Sequence, residues 1–77
     1  MATKRYNGHR SWNAWNVALW IGNDEALYYL AKRALRTGNA THAAHYFIES
    51  LGDDKKTPDG ATYNFKCVRE ALVGLGI

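Results

Sequence analysis

Cysteine and proline are almost absent from this chain of 77 residues, which contains one of each. The single cysteine, Cys67, excludes an internal disulfide and a multi-cysteine zinc site. A small chain without disulfides is typical of a reducing cytosol, so we expect a cytoplasmic protein. No run approaches the roughly 18 apolar residues that a membrane-spanning helix needs, and the polar first residues predict no secretion signal. We therefore expect no membrane contact.

Motifs that carry chemistry are also missing. The seven glycines are scattered singly, which excludes a glycine-rich phosphate-binding loop. Helix capping explains the pair Asp24-Glu25, and a solvated loop explains Asp53-Asp54, so neither is a general acid and base. Cys67 falls beside an apolar helical stripe, and we expect a small buried thiol there, not a nucleophile. We therefore expect no enzyme, no catalytic residues and no cofactor.

One group of residues has the spacing of a metal site. His42, His45 and Glu49 share one helical face, and a divalent metal would take a fourth ligand from His9, Cys67 or an aspartate. The alternative is a solvated helix face that carries two imidazoles. We favour the second interpretation and expect no metal.

The net charge of +3 is unevenly distributed. Residues 1–38 hold six basic and two acidic residues (+4), whereas residues 39–77 hold four basic and five acidic residues (−1). A mildly basic half favours contact with an acidic partner, but it lacks the dense Lys/Arg stripe of a dedicated nucleic-acid binder. A helix-turn-helix around Gly38 would present Thr41, His42, His45 and Glu49, which are poor readers of base edges.

The spacing of apolar residues predicts a first helix over residues 12–21, with Ser11 as its N-cap. Gly22 should end this helix, and Trp20 lies outside its main apolar face. The expected core face consists of Trp12, Trp15 and Leu19, at positions i, i+3 and i+7.

Three further helices follow. The second begins after the cap Asn23 and ends before Gly38 as its C′ residue; the third begins at Asn39 or Thr41 and ends at Gly52. The fourth covers residues 62–73. The expected core positions are Leu27, Leu30, Ala31, Ala34 and Leu35 in the second helix; Ala40, Ala44, Phe47, Ile48 and Leu51 in the third; and Phe65, Val68, Leu72 and Leu75 in the fourth.

The economical architecture is all-α, a compact bundle of about four short helices in one domain, residues 1–77. We expect an N-terminal arm at residues 1–10 and a mobile loop at residues 53–60. Within the loop, Thr57-Pro58 would either cap a helix or begin a turn. The β-character of residues 62–65 has no identifiable partner strand. At this chain length the core is small, so a homodimer is an open alternative to a monomer.

Aromatic residues, in contrast, are plentiful: three Trp, five Tyr and two Phe. The three tryptophans of the first helix cannot all face one core, and two tyrosines follow on the next helix. Exposed aromatics beside arginines are typical of protein-interface hot spots. We therefore predict a protein-binding surface that consists of Trp20, Tyr29, Arg33, Arg36 and Arg10.

The tryptophan-rich segment also resembles a family of small phage and mobile-element proteins of uncharacterised function. The resemblance rests on Tyr6-Asn7-Gly8, Trp12, Trp15, Asn16-Val17-Ala18-Leu19-Trp20-Ile21, Asn23-Asp24-Glu25 and the turn Thr57-Pro58-Asp59-Gly60. The chain departs from the family's pattern in having His9 where Trp is frequent and Ala14 where Thr is frequent. The resemblance brings no catalytic residues.

The resemblance implies a protein made in the cytoplasm of an infected bacterial host. The function that we expect is a phage-encoded inhibitor that binds and blocks a host protein or ribonucleoprotein complex, of the anti-CRISPR or antirestriction class. Mimicry of DNA is excluded by the positive net charge. The alternative is a small nucleic-acid-binding accessory protein.

Overall fold

The computed structural model describes residues 11–75, which form four α-helices. They are α1 (Trp12–Asn23), α2 (Glu25–Leu35), α3 (Ala40–Leu51) and α4 (Phe65–Leu75). Helices α1 and α3 each pack against both α2 and α4, so the four helices surround one core. The all-α bundle of four short helices is confirmed. The expected N-terminal arm, with Arg10, lies outside the described residues.

A short polar side chain begins each helix, as N-capping chemistry requires. In every case its oxygen accepts a hydrogen bond from the backbone N–H three residues later. The four caps, with donor–acceptor distances of 2.9–3.1 Å, are Ser11 (to Ala14), Asp24 (to Leu27), Asn39 (to His42) and Asn64 (to Cys67). A cap of this kind contributes about 1 kcal/mol of stability.

The junction between α1 and α2 differs from the sequence prediction. Gly22 does not end α1, and Asn23 is not the cap of α2, because α1 continues through both residues. Asp24 alone separates the helices: its N–H donates to Trp20 O at 2.9 Å, and its side chain caps α2. One residue in an extended conformation (φ −89°, ψ 121°) is enough to redirect the chain, so no glycine is needed there.

The ends of α2 and α3 give one correction and one confirmation. Gly38 is not the C′ residue of α2, because the C-cap is Arg36 and Thr37 follows it directly. Thr37 closes the helix with its N–H and its hydroxyl, which both donate to Ala34 O. Gly52 ends α3 as predicted, with a φ of +64° that disfavours other residues.

The buried face of α1 also differs from the prediction. Trp12 and Leu19 are 41% and 37% exposed, so the expected core face of α1 is wrong for these two residues. The residues of α1 that are buried are Ala14, Asn16, Val17 and Ile21. This helix is apolar on several sides, so its spacing fits more than one core face.

The core faces of the other three helices agree with the prediction. The fully buried members of those stripes are Ala31, Ala34, Ala44, Phe47, Val68 and Leu72. The remaining predicted core positions, except Ala40, pack partly buried against this cluster. Cys67, at 8% exposure, is the buried thiol that its helical position predicts. Among residues 11–75, no helix combines the length and apolar character that crossing a membrane requires.

The connection from α3 to α4 folds back on itself. Thr62 forms an isolated antiparallel bridge with Lys56, which is the partner that the sequence did not reveal. The bridge includes Thr62, which was predicted as the start of the fourth helix, and α4 begins instead at Phe65. Thr57-Pro58 begins a turn and not a helix: Gly60 N donates to Thr57 O at 2.9 Å, and Gly60 has a φ of +96°. The mobility of residues 53–60 stays a prediction.

Candidate functional site

A polar stripe on α1 faces the loop between α3 and α4. Asn13, Asn16 and Trp20 occupy positions i, i+3 and i+7, so their side chains lie along one side of the helix. Each donates a hydrogen bond to a residue 39 to 54 positions away in the sequence. Together with the loop residues that they bind, they form a unit that we call the polar latch: Asn13, Asn16, Trp20, Thr57, Asp59 and Thr62.

Asn13 binds the end of the loop as a second peptide group would. Its Nδ2 donates to Thr62 O at 2.9 Å, and its Oδ1 accepts from Thr62 N at 2.8 Å. The same Nδ2 lies 3.1 Å from Cys67 Sγ, to which it also donates. The side-chain amide thereby satisfies both polar groups of one loop residue and ties α1 to the start of α4.

Asn16 is the buried centre of the latch, with 1% of its surface exposed. Thr57 Oγ1 donates to Asn16 Oδ1 at 2.6 Å and accepts from Ala61 N at 2.9 Å. Asn16 Nδ2 donates to Asp59 Oδ2 at 2.9 Å. Among residues 11–75, every buried side-chain nitrogen and oxygen has a partner. Removal of one partner would therefore leave another buried polar atom unsatisfied.

Asp59 connects the loop to the tryptophan segment. Its Oδ2 accepts from Asn16 Nδ2 and from Trp20 Nε1, both at 2.9 Å. These two hydrogen bonds, that from Asn16 first, lower the pKa of the exposed Asp59 carboxyl below its ordinary value. The indole of Trp20 is thus engaged within the protein, and its contact to the loop was missed by sequence reasoning.

The residues predicted as one binding surface lie in two places. Tyr29, Arg33 and Arg36 line one shallow depression of about 260 Å³ on α2, together with Lys32. Trp20 lines a different depression, between the α1–α2 junction and the loop. Arg10 lies outside the described residues. The structure therefore brings together three of the five predicted residues and adds Lys32, which sequence reasoning did not select.

The group on α2, which we call the basic-aromatic face, consists of Tyr29, Lys32, Arg33 and Arg36. Tyr29 is 56% exposed. The Lys32 ammonium lies 5.8 Å from its ring centroid and 5.6 Å from that of Tyr28, within the range of cation–π attraction. In the part of the chain from 11 to 75, no carboxylate lies within ion-pair distance of these three cations. Their charge is therefore available to a partner.

The structure gives less support to the two other candidates from the sequence, which are the metal site and the helix-turn-helix. His45 stacks on Phe65, with ring centroids 4.7 Å apart and planes at 26°. Within residues 11–75, no three His, Cys, Asp or Glu side chains meet in a way that would hold a metal ion. Thr41, a base-reading position in a helix-turn-helix, accepts a hydrogen bond from Arg69 Nε at 3.0 Å, which occupies part of that surface.

The fold defines the chain as a small all-α domain whose long loop is held by polar side chains of α1. The chain belongs to a family of unknown function, DUF7249, whose model matches residues 2–73. No curated protein and no solved structure matches it. The matched residues include α1, α2, α3, the polar latch and α4 except its last two residues. The family membership leaves the partner to be inferred from the surface.

Proposed function

We propose that this protein is a small non-enzymatic inhibitor whose basic-aromatic face binds an acidic surface on a host protein or ribonucleoprotein complex. The observation that supports the proposal is the convergence of Tyr29, Lys32, Arg33 and Arg36 on one depression of α2. Tyrosine and arginine are enriched at interface hot spots. Arginine also pairs with carboxylates in a bidentate geometry that gives orientation as well as affinity.

The way in which α2 is held supports a binding role for its outer face. Ala31 and Ala34, on the opposite side of the helix, are completely buried. The helix is capped by Asp24, so both its position and its start are fixed. A rigid surface loses little conformational freedom when it binds, which favours affinity for a given contact area.

The resemblance to small phage proteins supplies the context of the proposal. In that context the protein acts in the cytoplasm of an infected bacterium, on a defence complex of the CRISPR or restriction type. The formal net charge of +3 argues against imitation of DNA and in favour of an acidic protein surface as the target.

Affinity capture from host lysate with the tagged full chain tests this proposal. We expect stoichiometric recovery of a host protein, and at least about a tenfold loss when Arg33→Gln and Arg36→Gln are combined, since one hot-spot side chain contributes roughly 2 kcal/mol or more. The control combines Lys55→Gln and Lys66→Gln, which removes the same charge outside the basic-aromatic face. Recovery of nucleic acid without a stoichiometric protein would refute the proposal.

Light scattering on the full chain separates a monomer from a homodimer.

Direct binding of nucleic acid is the second candidate. An exposed Tyr29 among three cations has the composition of a platform on which a base stacks while its phosphates meet basic side chains. A mobility-shift assay at low salt distinguishes the two candidates. A dissociation constant above about 100 µM at low salt would exclude even ordinary non-specific binding.

A further inference from the structure

A second depression lies apart from the basic-aromatic face and shares none of its lining residues. It has a volume of about 510 Å³ and opens between the α1–α2 junction, the end of α3 and the loop before α4. This volume falls within the roughly 300–1,000 Å³ that is typical of sites for small ligands. We call it the Tyr63 depression, after the residue on which the argument depends. The lining residues used below are Trp20, Asp24, Leu51, Asp54, Lys56 and Tyr63.

Tyr63 is a buried residue whose hydroxyl has no hydrogen-bond partner among residues 11–75. The side chain is 4% exposed, and its ring packs 6.0 Å from that of Phe47. In the described part of the chain, the hydrogen bond of Tyr63 is made by its backbone N–H to Lys55 O. Every enclosed side-chain nitrogen or oxygen within residues 11–75 has a partner. The hydroxyl is therefore not fully enclosed, and Tyr63 lines the depression.

Two carboxylates line the same depression as Tyr63, those of Asp24 and Asp54. Burial and, after it, the negative charges of Asp24 and Asp54 raise the pKa of Tyr63 to about 12, so the phenol stays neutral. Asp24 uses Oδ1 to cap α2, which leaves its second oxygen for another donor. Lys56 lines the same depression, but within residues 11–75 no ion pair joins it to either aspartate. The charged lining residues together carry one excess negative charge.

We propose that the Tyr63 depression binds an organic cation, an ammonium or guanidinium group on a short apolar stem. The cation would donate to the carboxylates of Asp24 and Asp54 and to the neutral Tyr63 hydroxyl oxygen, which has no hydrogen-bond partner within residues 11–75. Trp20 and Leu51 provide apolar surface for the stem, and the indole face attracts a cation. The same chemistry is presented by a free aliphatic amine and by a lysine side chain. This site is separate from the basic-aromatic face, so the cation site can be refuted without refuting the proposed function, and the reverse also holds.

An NMR titration of the full, ¹⁵N-labelled chain tests this site. The probes are n-butylammonium and n-butylguanidinium chloride, with 1-butanol as the uncharged control and sodium chloride to match ionic strength. We expect saturable shifts of the Tyr63 amide and the Trp20 indole N–H with one or both cations and not with 1-butanol. Nα-acetyl-lysine methylamide distinguishes the two sources of the cation. An affinity similar to that of n-butylammonium indicates a lysine side chain, and a clearly weaker affinity indicates a free amine.

Matched variants separate the site from general electrostatics. We expect Tyr63→Phe and Asp54→Asn each to weaken binding about fivefold, as for the loss of one partly exposed polar contact. Asp53→Asn removes the same charge from the neighbouring position, which does not line the depression, and should change the affinity less than about twofold. Lys56→Gln should strengthen binding, because it removes the competing cation.

The thermal unfolding of each variant shows that it is folded before it is titrated. The proposal is overturned if 1-butanol produces the same shifts as the cations. It is also overturned if Asp53→Asn weakens binding as much as Asp54→Asn, or if folded Tyr63→Phe binds as well as the original chain. A Lys56→Gln variant that strengthens binding only slightly would still support the proposal. A Lys56→Gln variant that weakens binding would contradict it.

Discussion

The polar latch makes a quantitative prediction through Thr57→Val. The substitution keeps the shape of the side chain but removes the hydroxyl that donates to Asn16 Oδ1 and accepts from Ala61 N. Two buried polar groups then lose a partner, each at a cost of roughly 1–3 kcal/mol, and the added methyl group returns about 0.8 kcal/mol. We expect the free energy of unfolding to fall by about 2–4 kcal/mol, a large part of what a chain of this length has.

Equilibrium unfolding in urea, followed by circular dichroism and by tryptophan fluorescence, measures this change. Thr62→Val is the matched control: it makes the same chemical change in the same loop, where the Asn13 amide binds the backbone of Thr62 and not its hydroxyl. Its effect should stay below about 1 kcal/mol. An equal, small effect of both variants would refute the view that Asn16 and Thr57 hold the loop.

Three further predictions concern α1 and the pH dependence of stability. Ile21→Ala, at a completely buried position, should cost roughly 2–5 kcal/mol of unfolding free energy, whereas Leu19→Ala should cost under about 1 kcal/mol; equal costs in urea would contradict the observed core face. Gly22→Ala should stabilise the protein by about 0.5–1 kcal/mol, measured as a higher melting temperature, since it lies within α1 with no atom near its added Cβ. The hydrogen bond from Asn16 helps to lower the pKa of Asp59 in the folded protein from its ordinary 3.8. The ionised carboxyl therefore stabilises the fold above pH 3.8, and this stability is lost as the pH falls from 3.8 through the lowered pKa. Asp59→Asn should therefore unfold with a shallower pH dependence in acid, and an unchanged acid profile would contradict this assignment.

The sequence predicted the core faces of three of the four helices because each of these helices has a single apolar face. In α2, for example, the stripe that contains Ala31 and Ala34 has no competitor, and charged residues occupy the other side. In α1, the positions of Trp12, Trp15 and Leu19 have the same spacing as those of Ala14, Val17 and Ile21. Local periodicity cannot choose between them, because both stripes are apolar.

What decides between the two faces is a set of partners distant in sequence. Asn16 is buried because Thr57 and Asp59 satisfy its amide from 41 and 43 residues away, and its position turns Ala14, Val17 and Ile21 toward the core. The spacing of Asn13, Asn16 and Trp20 is visible in the sequence, but their partners are not. In contrast, the grouping of Tyr29, Arg33 and Arg36 was predictable, because one regular helix places residues i, i+4 and i+7 together.

These differences change what the tryptophan-rich segment signifies. Asn16 and Trp20 belong to the motif on which the expected resemblance to phage proteins rests, and so does the turn that contains Thr57 and Asp59. In the structure these two parts of the motif are hydrogen-bonded to each other. The need to hold a long loop on α1 therefore accounts for their chemistry without any partner. The residues on which that expectation rests describe the fold, and the proposed binding sites are the basic-aromatic face and the Tyr63 depression.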